Sequence, residues 1–176
     1  MPWPTDTAPA KSQIGELAYR LLPVASTGFA ALLALLPVPL AGYAALTPAF
    51  ALMTVYHWTI YRPDLLPPTA LFGIGAVYDL LSGGPLGATP LLFLLSRAAV
   101  LRCRRWFFNR DFPFIWAGFT LLAGVAIGGL WAVHSILAWQ LFSINSSVFR
   151  AVLTIALFPI ASFALGRTQH ALIGAG

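Results

Sequence analysis

Charged residues make up only 9% of this 176-residue chain, while 59% of it is hydrophobic. An average soluble domain carries about 25% charged residues. A chain this poor in charge cannot clothe a water-facing surface, which excludes a soluble globular domain. Intrinsic disorder is excluded as well, since it requires low hydrophobicity and high charge. There is one cysteine, Cys103, so no internal disulfide and no cysteine-built zinc site can form. The three histidines, His57, His134 and His170, stand far apart and show no metal-ligand spacing. No GxSG sequence surrounds Ser82 or Ser135, so a serine nucleophile working with His134 has nothing to support it. These absences leave an integral membrane protein with no cofactor and no enzymatic constellation.

What is present is apolar sequence in long runs, with a mean hydropathy of +0.83. A helix needs about 20 mostly apolar residues to cross a hydrocarbon core about 30 Å thick. That requirement predicts six transmembrane helices, near 20–40, 43–61, 65–81, 86–101, 112–139 and 147–166. Only a Gly/Pro turn separates the third from the fourth, so the two can also be read as one broken helix. The continuous runs lack the alternation of a β-barrel. The expected organisation is a flexible N-terminal tail over 1–19, a six-helix membrane domain over 20–166 and a C-terminal tail over 167–176.

The basic residues then orient the chain. Lys11, Arg20, Arg62, Arg102, Arg104, Arg105, Arg110 and Arg167 share one side, and the opposite loops near 41–43, 82–86 and 140–146 hold no Lys or Arg. Because Lys and Arg sort to the cytoplasmic side, both termini are expected in the cytoplasm. Two arginines fall inside spans. Arg97 is expected to snorkel to the inner headgroups. Arg150, near the outer end of the sixth span, is the natural partner to test for Asp79.

Asp79 lies in GAVYDLLSGGPLGATP, residues 75–90. An ionisable group inside a span costs about 2.5–3.5 kcal/mol even on lenient scales, so it normally faces a partner or water. Asp79 therefore either caps the following turn at the wet interface or organises the outer face of the bundle. Gly83, Gly84, Pro85 and Gly87 form that turn, whose glycines suit positive φ or close helix approach. The dense basic and aromatic stretch around Arg102, Arg104, Arg105 and Arg110 reads as a juxtamembrane loop touching anionic lipid or a partner protein, not nucleic acid. Tyr56, His57, Trp58 and Tyr61 read as an interfacial aromatic belt, and His134 as an interhelical hydrogen-bonder. Gly124 and Gly128 have GxxxG spacing, open to packing inside the bundle or to another membrane protein. Asn145-Ser146-Ser147 matches a glycosylation sequon by chance, so close to a span does it stand.

Six short spans, minimal loops, the stretch YHWTIYRPDLLP at 56–67, the turn GAVYDLLSGGPLG at 75–87 and the basic loop after the fourth span together resemble the MreD family of bacterial rod shape-determining membrane proteins. The resemblance covers essentially the whole chain and is most specific over 72–105. It implies an all-α fold similar to the substrate-binding subunits of energy-coupling-factor transporters. It also implies a non-enzymatic inner-membrane scaffold of the elongation machinery for peptidoglycan synthesis. The implied partners are MreC, then MreB and the RodA/penicillin-binding-protein synthase. The alternative function is a small-solute binding subunit of a membrane transporter.

Overall fold

The structure is a computed structural model that describes residues 11–36, 48–107, 111–139 and 144–173. Six α-helices and no strands occur among them: α1 (Lys11–Leu33), α2 (Phe50–Tyr61), α3 (Pro68–Ser82), α4 (Ala88–Phe107), α5 (Phe112–Ala138) and α6 (Ile144–Ile173), with a single 3-10 turn, Pro63–Leu65, between α2 and α3. Their number and order follow the six apolar segments, but their ends do not. Residues 11–19 belong to α1, and α6 runs on to Ile173, so both expected tails are partly helical. Hydrophobicity marks where a helix meets lipid. The backbone hydrogen bonds continue beyond that point wherever helix-compatible residues follow. Conversely, α2 has only 12 residues against the longer span expected there, and the upstream segment, with Pro37 and Pro39, lies outside the described residues.

Among the described residues, two helices are long and apolar enough to cross a membrane, Phe112–Ile136 and Ile144–Arg167. Only 28% and 11% of their apolar windows are buried. A core helix of a soluble protein would be covered; these instead present Leu121, Val125, Ile136, Ile160 and Phe163 outward. Apolar surface of this extent is stable against lipid and not against water.

The centre of the bundle is α2. Every residue from Ala51 to Ile60 is buried, as expected for a helix enclosed on all sides. One face of α2, formed by Leu52, Met53, Tyr56 and Ile60, packs on Val100 of α4, Ile115, Phe119 and Ala123 of α5, and Phe158 of α6. Its other face, Ala51, Val55 and Trp58, packs on Ala31 of α1, Leu66, Leu71 of α3 and Phe93 of α4. The Tyr56 ring meets Phe119 and Phe158 edge-on at 5.3 and 5.6 Å, while Phe119 and Phe158 stack at 4.1 Å. The expected aromatic belt is therefore corrected: Tyr56, His57 and Trp58 are core residues, and only Tyr61 is exposed.

Several polar groups in this core are tied to backbone or to one another, as a water-poor interior demands, although the Nε2 of His57 is enclosed and meets no partner among the described residues. The Tyr56 hydroxyl donates to the Ile115 carbonyl at 2.8 Å and the Trp58 indole donates to Ser26 Oγ at 2.9 Å. Pro159, inside α6, has no N–H for the carbonyl four residues back. That carbonyl, of Ile155, accepts the Trp116 indole of α5 at 3.0 Å.

Candidate functional site

The Gly83–Gly87 turn sends the chain back on itself, so α3 and α4 are two helices packed side by side and not one broken helix. Gly83 ends α3 at φ 68° and Gly87 precedes α4 at φ 97°, both in the left-handed region that glycine enters without steric cost. Within the pair, Gly75 touches Pro90. A Cβ on Gly75 would lie 2.6 Å from Pro90 N and 2.7 Å from its Cα. The two backbones can approach this closely only because Gly75 has no side chain.

One turn after Gly75, on the same face of α3, Asp79 is 3% exposed. Its Oδ2 accepts from the Gly87 amide at 2.8 Å and from the Thr89 amide at 3.3 Å. A helix N-terminus leaves its first amides without intrahelical partners, and Gly87, in the capping position, has no side chain to offer. Asp79 does that work from the neighbouring helix. The remaining donors here are accounted for: Ala88 N–H bonds Pro85 O at 3.2 Å, Pro90 has none, and Leu91 N–H bonds Gly87 O at 3.1 Å.

A second cap across helices lies at the same end. The Ala49 amide, just before α2, donates to Thr154 Oγ1 of α6 at 3.0 Å, and that hydroxyl donates to the Arg150 carbonyl at 2.7 Å. Arg150 itself is partly buried. Its Nε is enclosed and meets no acceptor among the described residues. The Asp79–Arg150 partnership weighed from the sequence does not form: the Asp79 carboxylate is engaged by backbone amides, and no ion pair joins the two among the described residues. Instead, Arg150 lines a small cavity of about 40 Å³ with Tyr78 and Thr89. It also lines a more open one of about 220 Å³ with Trp131, His134 and Ser147. His134 is corrected too. It is exposed, and its Nδ1 bonds the Leu130 carbonyl of its own helix at 2.8 Å.

At the basic end, Arg97 does not snorkel. Its Nε and Nη2 donate to the carbonyls of Leu66 and Pro63, each at 3.2 Å. Arg104 Nε donates to the Ile60 carbonyl at the end of α2, 3.0 Å away. Carbonyls at a helix C-terminus lack intrahelical donors and carry partial negative charge, so cations from α4 suit them. Arg102 and Arg105 are exposed, and Arg110 lies outside the described residues. Replacing Arg97 with Met is expected to lower stability by about 2 kcal/mol, within the range for hydrogen bonds to charged groups. Amide exchange at Leu65 and Leu66 should quicken. Arg97→Lys should restore little, because an ammonium lacks the planar fork that reaches both carbonyls; full rescue by lysine would contradict this account.

The glycines of the GxxxG pair, Gly124 and Gly128, are exposed, and a Cβ on either meets nothing within 4 Å. They do not pack inside the bundle. Close approach inside the bundle belongs to Gly75, which the sequence reading passed over; its signal was a glycine one turn before Asp79 on a helix that must fold back. A groove of about 380 Å³ runs between α1 and α3. Its floor is Gly28, Ala31, Ala70 and Gly73 and its walls include Leu32, Val77 and Leu81. Among the described residues no three His, Cys, Asp or Glu side chains gather to hold a metal.

Comparison with known families gives a match to the family described as rod shape-determining protein MreD, over residues 16–165. No curated protein and no solved structure matches the chain.

Proposed function

The chain belongs to the MreD family of rod shape-determining proteins, and from that membership we propose that it is a non-enzymatic scaffold of the cell-elongation machinery, acting with MreC. In this reading the six helices are six spans of the bacterial inner membrane, in the arrangement expected of energy-coupling-factor substrate-binding subunits. The arginine-rich end and both termini face the cytoplasm. Exposed Arg102 and Arg105 meet anionic headgroups there, at about 1 kcal/mol each. MreB and the RodA/penicillin-binding-protein synthase are further partners of the same assembly.

The observation that carries the scaffold reading is the α1–α3 groove. In lipid, helices associate by close packing over small residues and not by hydrophobic exclusion. Gly28 and Ala31 on one side and Ala70 and Gly73 on the other form such a floor between apolar walls. A single transmembrane helix fits this shape, and MreC, the bitopic partner that the resemblance implies, supplies one.

Gly73→Leu tests it. A Cβ at Gly73 meets nothing within 4 Å, and leucine is the better helix former, so the variant should fold normally while filling the groove. Tagged protein drawn from native membranes in mild detergent should recover at least about tenfold less MreC, equivalent to about 1.4 kcal/mol, with its own level unchanged. Undiminished recovery of MreC would overturn the placement of the partner helix.

A further inference from the structure

The end of the bundle that holds the α3–α4 turn carries one acidic and one basic residue. Among the described residues the other acidic groups lie at the opposite end, Glu16 in the first turns of α1, Asp64 in the 3-10 turn before α3 and Asp111 just before α5, and no Lys or Arg other than Arg150 lies near the turn, the segment before α2 or the segment before α6 in the sequence. Asp79 is committed to the amides of Gly87 and Thr89. Arg150 is thus a cation without a counter-charge among the described residues, its Nε shut away from solvent and with no acceptor. An enclosed guanidinium nitrogen without an acceptor is costly, and an anion that reaches the partly buried guanidinium offsets that cost.

The cavity beside it has the form of a site for an amphiphile. Its volume is about 220 Å³, room for a headgroup. Arg150 and Ser147 from α6 bring a guanidinium fork and a hydroxyl, Trp131 and His134 from α5 flank them, and Ile127 and Leu130 supply apolar wall. Gly84 of the turn lies nearby, where a Cβ would stand 4.0 Å from the His134 Nε2. The planar fork of a guanidinium pairs bidentately with two oxygens of a phosphate, and a tryptophan in the lining suits a membrane interface.

We propose that this cavity between α5 and α6 binds a phosphate group through Arg150 and Ser147, the phosphate being that of a membrane lipid headgroup. The shape of the cavity, cationic on one wall and apolar on another, favours an esterified phosphate with acyl chains over a free ion. Because the site lies on α5 and α6, it is separate from the α1–α3 groove, so its failure and the failure of partner docking are independent.

The test is native mass spectrometry of the full chain, delipidated in a phosphate-free sugar detergent and titrated with dioctanoyl phosphatidylglycerol, dioctanoylglycerol or inorganic phosphate. One phosphatidylglycerol should bind per chain with saturation, and the uncharged dioctanoylglycerol should not compete with it. Arg150→Gln should weaken that binding at least tenfold while leaving any contribution of the arginines at the opposite end intact. Ser147→Leu, which crowds the cavity without removing the charge, should weaken it as well and keeps the test open if Arg150→Gln fails to fold. Competition by inorganic phosphate at matching concentration would assign the site to the free anion, and its failure to compete assigns it to the lipid; phosphate chemistry stands in both cases. Equal binding of the charged and uncharged lipids, or binding unchanged in both variants, would overturn the proposal.

Discussion

Gly75→Ala is expected to destabilise the protein by about 3 kcal/mol, the upper end of the cost of overpacking. The added methyl would meet Pro90 N at 2.6 Å and Pro90 Cα at 2.7 Å. Both are backbone atoms in the first turn of α4, and Pro90 is itself held in a ring, so no rotamer change gives relief. Only a separation of α3 from α4 does. The helix-propensity gain of alanine over glycine, up to about 1 kcal/mol, offsets part of the clash and cannot cancel it. Gly73→Ala is the control on the same helix: its Cβ meets nothing within 4 Å, so it should be neutral or mildly stabilising. Thermal unfolding in detergent, with the level of protein in the membrane as a second readout, should separate the two variants clearly. Equal midpoints for Gly73→Ala and Gly75→Ala would refute the claim that backbone contact at Gly75 sets the helix pair.

Why Asp79 could be read from the sequence and Gly75 could not is a matter of contrast. A carboxylate in an apolar run, followed by Gly83, Gly84, Pro85 and Gly87, stands out because lipid penalises the charge and because few residues other than glycine turn the chain so tightly. A glycine in a membrane helix does not stand out. Gly73, Gly75, Gly124 and Gly128 look alike until the neighbour opposite each is known, and only Gly75 has a backbone against it. The same holds for the arginines. Their distribution along the chain separates one end of the bundle from the other, but that Arg97 and Arg104 serve the carbonyls of Pro63, Leu66 and Ile60 depends on where α4 lies against α2 and the 3-10 turn. The stretch Tyr56-His57-Trp58-Thr59 has the composition of an interface, and its burial follows from α2 being surrounded on every side. That is a property of the assembled bundle and of no local pattern.

Asp79→Ala is expected to cost about 2–4 kcal/mol, and the two amides it serves do not contribute equally. Gly87 is exposed, so its N–H can be rehydrated once the carboxylate is gone; Thr89 is buried and its N–H would be left without an acceptor. A buried donor stranded in this way costs about 1–3 kcal/mol, and the lost interaction of a carboxylate with a helix N-terminus adds about 0.3–1 kcal/mol, more when partly buried. Asp79→Asn keeps an oxygen in place and removes the charge, so it should recover roughly half of the loss, since charge-assisted bonds are about twice as strong as neutral ones. Wild type, asparagine and alanine should therefore unfold in that descending order of midpoint; an alanine variant as stable as wild type would remove the cap from the account. The double variant carries the stronger inference. Asp79 reaches Thr89 only because Gly75 lets α3 lie against Pro90, the next residue along. In a Gly75→Ala background the helices are already apart and the cap already lengthened, so Asp79→Ala should cost less there than in the wild type. A coupling of about 1 kcal/mol or more between the two positions, where independent sites would add to within about 0.5 kcal/mol, would show that close approach and capping are one interaction, made by a glycine and an aspartate one turn apart.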